Sequence, residues 1–278
     1  MKKLIVLVLA FVMILALTSC AQKEQEQAAI AKVKTGVLSN MVSTSTDQAM
    51  VKHIMAEHKI DFSGNGERFL FNNISAALLA LDSDEIQFFG TNSATADYIV
   101  ANNDKLKVVS PSGVIMQTEF SMMTMENAEV YDILNDAIVA LKENGTLEDL
   151  INSYIKAPDG NFDAAVEIPA FEGADTIRIA ITGDIPPLDY TTEDGKPAGF
   201  NVALLAAIAQ HAGVNIEPVA MESASRTTAL ASGKVDAIFW VCATICKDHP
   251  EVRINEAIEG TTSTESYIIL DAAMVGKK

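Results

Sequence analysis

Cysteine and histidine side chains could support covalent or metal chemistry in the last quarter of this sequence. Cys242 and Cys246 are separated by three residues, and His249 follows soon after. Two such thiols could form a disulfide or stay reduced, and with an imidazole they could bind a metal ion. The spacing is unlike the common zinc patterns, and a fourth ligand is not evident. A metal site is therefore the least favoured alternative and none is predicted, while the disulfide and the free thiols both stay open.

General acid–base catalysis would need a titratable side chain that faces a partner in a binding site. The four histidines, His53, His58, His211 and His249, fall in predicted helices or loops, and none has an evident carboxylate partner. The sequence also lacks phosphate-binding, dinucleotide-binding and metalloprotease motifs. We therefore predict a protein that binds its ligand without transforming it and uses no cofactor.

The charge balance excludes one class of partner. The formal net charge is −17, and a protein of that sign repels phosphate backbones. We predict no nucleic-acid partner. Apolar residues make up 49% of the chain, which is enough to bury a sizeable core.

The N-terminus has the pattern of a secretion signal. Lys2 and Lys3 precede the apolar run 4–17, which is shorter than the roughly 20 residues of a membrane-spanning helix and fits a signal-peptide core. The tetrad 17–20 (Leu-Thr-Ser-Cys) resembles the bacterial lipobox, which implies a lipid on Cys20 and cleavage before it. An ordinary signal peptide with an incidental cysteine is the alternative. Export also favours a disulfide between Cys242 and Cys246.

Strand and helix patterns alternate in two stretches of the chain, which predicts an α/β fold with a mainly parallel sheet. The first stretch has predicted strands at 33–38, 68–71, 86–90 and 106–109, and helices at 47–58, 74–81 and 92–100. The second has strands at 177–181, 216–220, 235–241 and 267–275, and helices at 200–212 and 225–231. Between them lie a strand at 120–125, helices at 128–141 and 146–155, and a linker with proline and glycine. No clear pattern is evident at 243–259.

Short motifs in both stretches resemble one known family. Pro186–Tyr190, Asp194–Val202 and Ala229–Asp236 follow one another as in the first lobe of family 3 periplasmic solute-binding proteins. Phe71–Tyr98 resembles the second lobe of the same family. Asn144–Glu148 is similar to the helix motif that ordinarily closes the chain in that family, yet here it precedes the first lobe.

The resemblance implies a two-lobed periplasmic-binding-protein-like fold of type II, with the lobe order circularly permuted. We expect a lipoprotein signal peptide at 1–19, a tether at 20–31, the second lobe at 32–115, a crossing strand and helices that return to the first lobe at 116–155, the linker at 156–175, and the first lobe at 176–278. A tandem of two partial domains, or a truncated chain, is the alternative.

The resemblance also implies a ligand site in the crevice between the lobes, beyond the carboxyl ends of the strands. Candidates from the first lobe are Asp189, Tyr190, Trp240 and Tyr267. Candidates from the second lobe are Asn92 and the hydroxyl residues Ser43, Thr44, Ser45 and Thr46, which precede a predicted helix and would suit an anion. More ordinary roles are packing beneath the loop for Tyr190 and simple helix capping for the hydroxyls.

Two positions depart from the family pattern. Asn92 is neutral where many amino-acid-binding members carry an aspartate, and no arginine follows the strand 235–241 until Arg253. Arg226 is an alternative cation, although its position suggests the surface of a helix. An α-amino acid is therefore not assigned as the ligand.

The predicted function is that of a monomeric protein, lipid-anchored on the extracytoplasmic face of the cell membrane. It would deliver a small polar solute, amino-acid-like or another small organic compound, to the permease of an ABC importer by closure of its two lobes. A sensory or structural ligand-binding lipoprotein is the alternative, and a dehydratase-type enzyme on the same fold is less favoured.

Overall fold

A computed structural model describes residues 33–38, 67–109, 116–156, 165–255 and 257–278. The predicted signal peptide and tether, Cys20, the hydroxyl residues Ser43, Thr44, Ser45 and Thr46, and the predicted helix 47–58 lie outside the described residues. No helix within the described ranges combines the length and the apolar character that crossing a membrane would require.

The described chain alternates strands and helices as the sequence predicts. The main strands are β1 (Lys34–Leu38), β2 (Glu67–Phe71), β3 (Phe88–Asn92), β4 (Leu106–Val109), β5 (Met116–Met125), β6 (Thr176–Ile181), β10 (Asn215–Ala220), β11 (Ala237–Cys246), β12 (His249–Asn255), β13 (Thr261–Ser263) and β14 (Ile268–Lys277). A small three-stranded sheet contains β7 (Asp184–Ile185), β8 (Asp189–Thr191) and β9 (Pro197–Ala198).

Six α-helices lie in the described ranges. They are α1 (Ile74–Asp82), α2 (Ser93–Ala101), α3 (Glu129–Glu143), α4 (Thr146–Ile151), α5 (Phe200–Ala212) and α6 (Arg226–Ala231). A π-helical turn (Asn152–Lys156) continues α4, and a 3₁₀ turn (Ser223–Ser225) precedes α6.

The main sheet has two sections with the same strand order. Section 1 runs β10-β6-β11-β5 and section 2 runs β2-β1-β3-β14. In each section, the middle one of three parallel strands comes first in the sequence, the strand at the outer edge comes second, and the strand on the other side comes third. An antiparallel strand then pairs with the third strand. The α/β class predicted from the alternating pattern is confirmed, with a sheet in two topologically similar parts.

Strand β14 joins the two sections. Its residues Ile268–Asp271 pair with β5, and its residues 272–277 pair with β3 and β4. The prediction assigned all of 176–278 to one lobe, but the end of β14 belongs to the sheet of the other. A ten-residue extended strand is long enough to contribute to both.

Helix α5 is apolar on nearly all sides, and neighbouring helices and strands cover most of its surface. It begins after Gly199 and ends at Gly213, whose φ of 66° suits a left-handed C-cap. Helices α3 and α4 pack against it. A helix without a polar face needs such cover, and α5 contributes Phe200, Leu204 and Leu205 to the core.

Candidate functional site

A cavity opens where the two sheet sections meet, beyond the carboxyl ends of β3 and β6. Its lining consists of Asn92, Phe120, Thr182, Ile185, Leu188, Asp189, Asn201, Arg226, Phe239, Trp240 and Tyr267. Its volume is about 30 Å³, which leaves room for only a few water molecules. In each section the first parallel strand lies beside the third, β6 beside β11 and β1 beside β3. Open α/β sheets bind their ligands beyond the carboxyl ends of strands at such a position.

Four of the candidates predicted from the sequence meet in this cavity. Asn92, Asp189, Trp240 and Tyr267 all line it, although they come from distant parts of the chain. Tyr190 is half-buried on β8 and is not among the lining residues. Phe239, which was not among the predicted candidates, lines the cavity beside Trp240, although neighbouring residues of a regular strand point to opposite faces.

Asn92 is fully buried and ends β3, but its amide also caps the following helix. Its Oδ1 accepts a hydrogen bond of 3.0 Å from Thr95 N, and its Nδ2 donates one of 3.1 Å to Thr95 Oγ1. The side chain that the family pattern suggests for a ligand ammonium therefore holds the start of α2.

Arg226 is the main residue that the sequence interpretation placed wrongly. It was assigned to a helix surface, but only 3% of it is exposed and it lines the cavity. The physical reason is the spacing within α6, since Arg226, Ala229 and Leu230 are its buried residues and positions i, i+3 and i+4 share one helix face. That spacing was visible in the sequence and could have identified the residue.

The buried guanidinium of Arg226 lies near carboxylates but is not hydrogen-bonded to any of those in the described residues. Its Nε has no hydrogen-bond partner, and none of the carboxylates in the described ranges forms an ion pair with it. Burial lowers the pKa of Arg226, while the nearby Asp189, Tyr267 and Asp184 act in the opposite direction. A cation held this way favours an anionic partner in the cavity.

Tyr267 forms the aromatic part of the wall. Its ring packs edge-on against Phe239 at 5.7 Å and lies 6.1 Å from Phe200, while its Oη is buried without a partner. Burial raises the pKa of Tyr267 well above its usual value, Asp189 adds to this, and Arg226 opposes it. The hydroxyl is therefore protonated at neutral pH and can donate a hydrogen bond into the cavity.

Unpartnered polar atoms gather around the cavity. Among the described residues, the buried atoms without a hydrogen-bond partner include Thr182 Oγ1, Asn201 Oδ1, Arg226 Nε and Tyr267 Oη, all on lining residues. Buried polar groups in folded proteins are nearly always hydrogen-bonded, to protein or to water. Four such atoms on the residues that line one cavity, donors and acceptors together, are the groups that a polar solute or water entering there would complete.

Of the two alternatives left open for Cys242 and Cys246, the structure has the free thiols and not the disulfide. They lie four residues apart on the single strand β11. Extended chain spans about 13 Å over four residues at roughly 3.3 Å each, whereas bridged Cα atoms lie within about 7 Å. Strand β11 is longer than the predicted strand 235–241, and this extension separates the thiols.

One protein family matches the part of the chain that forms most of the site. Residues 177–245 match the model for bacterial extracellular solute-binding proteins, family 3. This stretch includes β6, α5, α6 and most of β11, together with eight of the lining residues, from Thr182 to Trp240. A comparison with curated protein sequences found no match.

Several solved structures are similar to the chain at low sequence identity. One is a ligand-binding component of an ABC-type import system from Staphylococcus aureus with zinc bound, at 13% identity over 88% of this chain and 65% of that chain, with a TM-score of 0.42. Immunogenic lipoprotein A from Vibrio vulnificus has 13% identity over 88% and 87% of the two chains, with a TM-score of 0.40.

An alkanesulfonate-binding protein from Xanthomonas axonopodis pv. citri, bound to MOPS, has 12% identity over 89% of this chain and 66% of that chain, with a TM-score of 0.40. This chain therefore spans about two thirds of the first and third of these proteins.

Proposed function

We propose that this chain is a lipid-anchored, extracytoplasmic solute-binding protein that delivers a small polar solute to an ABC importer. The observation that carries the proposal is the cavity between the two sheet sections, with apolar walls and four unpartnered polar atoms. Such a mixture of apolar lining and a few convergent polar groups is typical of small-molecule sites. The family match at 177–245 supports the same class of function.

The solute is expected to carry an anionic group that meets Arg226. A buried guanidinium is stable when a carboxylate or a similar anion pairs with it, and Arg can contact such a group with two parallel hydrogen bonds. The hydroxyl of Tyr267 can donate to the same anion. Asn92 is neutral and engaged with Thr95, so a strongly bound ammonium group is not required on the solute.

Entry of the solute requires the two sections to separate. The space of about 30 Å³ is far below the roughly 300–1,000 Å³ of an ordinary ligand pocket. Opening about the strands that link the sections would admit the solute, and closure would then remove it from water.

The proposal is tested by a thermal-shift screen of the purified protein with small carboxylates, sulfonates, amino acids and amines. A true ligand at one hundred times its Kd should stabilise the fold by about 2.7 kcal/mol. The variant Arg226→Met should lose that shift. Arg178→Met is the matched control, because Arg178 lies in section 1 and pairs with Asp236 at 2.8 Å, away from the cavity lining.

Two outcomes would contradict the proposal. One is a shift with neutral or cationic solutes alone, and the other is an anion-induced shift that survives in Arg226→Met. Delivery, as distinct from sensing, is tested by solute uptake in cells that lack the protein. Uptake unchanged by the deletion would favour the sensory or structural alternative.

We also infer that the lobes are circularly permuted. Gly276 and Thr35 both pair with Phe88, on opposite sides of β3, so they lie about 10 Å apart at two strand spacings. A short connection there could join β14 to β1. A chain reordered as 165–278 followed by 33–156 should then fold and bind the same solute, and failure to fold would favour the tandem alternative.

A further inference from the structure

One hydrogen bond joins the two sheet sections directly across the crevice. Ile74, the first residue of α1, packs with section 2, and its backbone N–H donates to Asp184 Oδ2 at 2.9 Å. Asp184 lies in β7, beside the cavity wall of section 1. The two residues are 110 positions apart in the chain. Because they belong to different sections, the contact forms only when the sections meet.

The partner of Asp184 is a helix end with free donors. The first backbone N–H groups of a helix have no partner inside the helix. Within section 2, Asn73 Oδ1 accepts from Ala76 N at 2.8 Å, and this leaves the N–H of Ile74 to an external acceptor. A carboxylate is a favourable acceptor there, because the helix dipole is positive at this end.

The surroundings of Asp184 make this contact energetically important. Its other oxygen, Oδ1, is buried and has no partner. Burial raises the pKa of Asp184, and Asp189 and Glu222 raise it further, whereas the Ile74 N–H and Arg226 lower it. The N-terminus of helix α1 is thus among the few groups that stabilise the ionised carboxylate of Asp184.

We propose that Asp184 is a positioning residue that holds the crevice closed by capping helix α1 from the opposite side. The contact involves no solute, so it stabilises the closed arrangement before any ligand binds. It goes beyond the proposed binding function and predicts that the unliganded protein spends much of its time closed. Solute entry then has to break this hydrogen bond.

Hydrogen exchange in the full-length protein without added solute tests the inference. Asp184→Ala should speed amide exchange about 3- to 10-fold at Ile74 and on both walls of the crevice, at 90–95 and 182–189, as expected for loss of a carboxylate cap. Asn73→Ala is the matched control, since it removes a cap from the same helix within section 2. That variant should speed exchange in α1 alone.

Comparison of Asp184→Ala with Asn73→Ala distinguishes a contact that holds the two sections together from one that only caps helix α1. If Asp184→Ala speeds exchange at Ile74 and leaves both crevice walls unchanged, the contact is local and the inference is overturned. Asp184→Asn keeps an acceptor oxygen and should restore most of the protection, and a D184N protein as open as D184A would overturn the role of this hydrogen bond. Circular dichroism establishes that each variant is folded. No ligand is needed, so failure of the solute screen leaves this test intact.

Discussion

The amide of Asn201 donates a hydrogen bond of 2.7 Å to Asp189 Oδ2, and both residues are almost fully buried. The other oxygen of Asp189 accepts from the backbone N–H groups of Thr182 and Gly183, each at 2.7 Å. The carboxylate therefore ties the start of α5 to the loop after β6. Although Asp189 lines the cavity, its oxygens are engaged within the wall, and its primary role is to hold that wall in place.

Replacement of Asp189 by alanine should therefore lower stability strongly. Three buried or part-buried donors would lose their acceptor, and Arg226 would lose a neighbouring negative charge, so the expected loss is about 3 kcal/mol or more in the free energy of unfolding. Urea denaturation measures this loss. The control is Glu193→Ala, because Glu193 is exposed in the turn after β8, the strand that contains Asp189. This substitution should change stability by less than about 0.5 kcal/mol. Wild-type stability in D189A with lost solute binding would instead make Asp189 a direct ligand contact.

Tyr267→Phe should leave the unliganded protein as stable as the wild type, within about 0.5 kcal/mol. The substitution removes only the Oη atom, which has no protein partner, and retains the ring contacts with Phe200 and Phe239. Tyr267→Ala removes those contacts as well and should cost about 3–5 kcal/mol. Thermal and urea unfolding of the pair measure both effects. A loss above about 1 kcal/mol in Y267F would mean that the hydroxyl has a structural partner.

Local spacing was sufficient to place several elements of the fold. The predicted helix 200–212 is the observed α5, and the predicted helix 74–81 differs from α1 by one residue. Both are apolar segments that start after a capping or turn residue, and α5 ends at a glycine, so their limits are encoded within a few residues. The alternation of such elements also predicted the α/β class, because each amphipathic or apolar segment needs a sheet to cover it.

Long-range pairing was harder to predict from the sequence. The segment 243–259 showed no clear pattern, and in the structure its residues 243–255 form the end of β11 and β12, a hairpin whose partner strand β5 lies over one hundred residues earlier. The contact between Asp184 and Ile74 could not be predicted either, because nothing near either residue signals the other. Arg226 could have been recognised, since its spacing to Ala229 and Leu230 puts it on the buried face of α6.

Gly199→Ala should destabilise the protein far more than Gly213→Ala, although both glycines flank α5. An added Cβ at Gly199 would lie 2.7 Å from Leu188 O and 2.8 Å from Pro187 O, and the φ of 100° with ψ of 178° is open almost only to glycine. At Gly213 the φ is 66° and no atom lies within 4 Å of the added Cβ, so the cost should be about 1–2 kcal/mol.

Equilibrium denaturation of the two variants gives the comparison. The two carbonyl oxygens that an added Cβ at Gly199 would meet cannot easily move aside. Pro187 O and Leu188 O accept hydrogen bonds from Phe200 N and Asn201 N, at 2.9 and 2.7 Å. Equal losses in the two variants would mean that the cavity loop adjusts freely. In that case the loop could not position Asp189 and Leu188 as the structure has them.

Asp271→Asn should remove part of the acid sensitivity of the protein. Asp271 is the last residue of β14 that pairs with β5, and its carboxylate accepts from Lys247 Nζ at 2.7 Å and Gln117 Nε2 at 2.9 Å. The hydrogen bond from Lys247, and then that from Gln117, lowers the pKa of Asp271 below its usual value. This carboxylate thus binds fewer protons in the folded than in the unfolded protein, and stability from this source is fully present above the unfolded pKa of about 3.9.

That stability is lost as the pH falls through the lowered pKa, so the difference in unfolding midpoint between wild type and D271N should be greatest above about pH 5 and should shrink progressively below the unfolded pKa of about 3.9. Urea denaturation at a series of pH values measures it, with Asp248→Asn in the exposed turn before β12 as the control. Because the pair with Lys247 is partly exposed, 0.5 M salt should reduce the difference. A difference that is independent of both pH and salt would show that Asp271 acts through packing alone. The charge of Lys247 would then contribute nothing where β14 passes from one sheet section to the other.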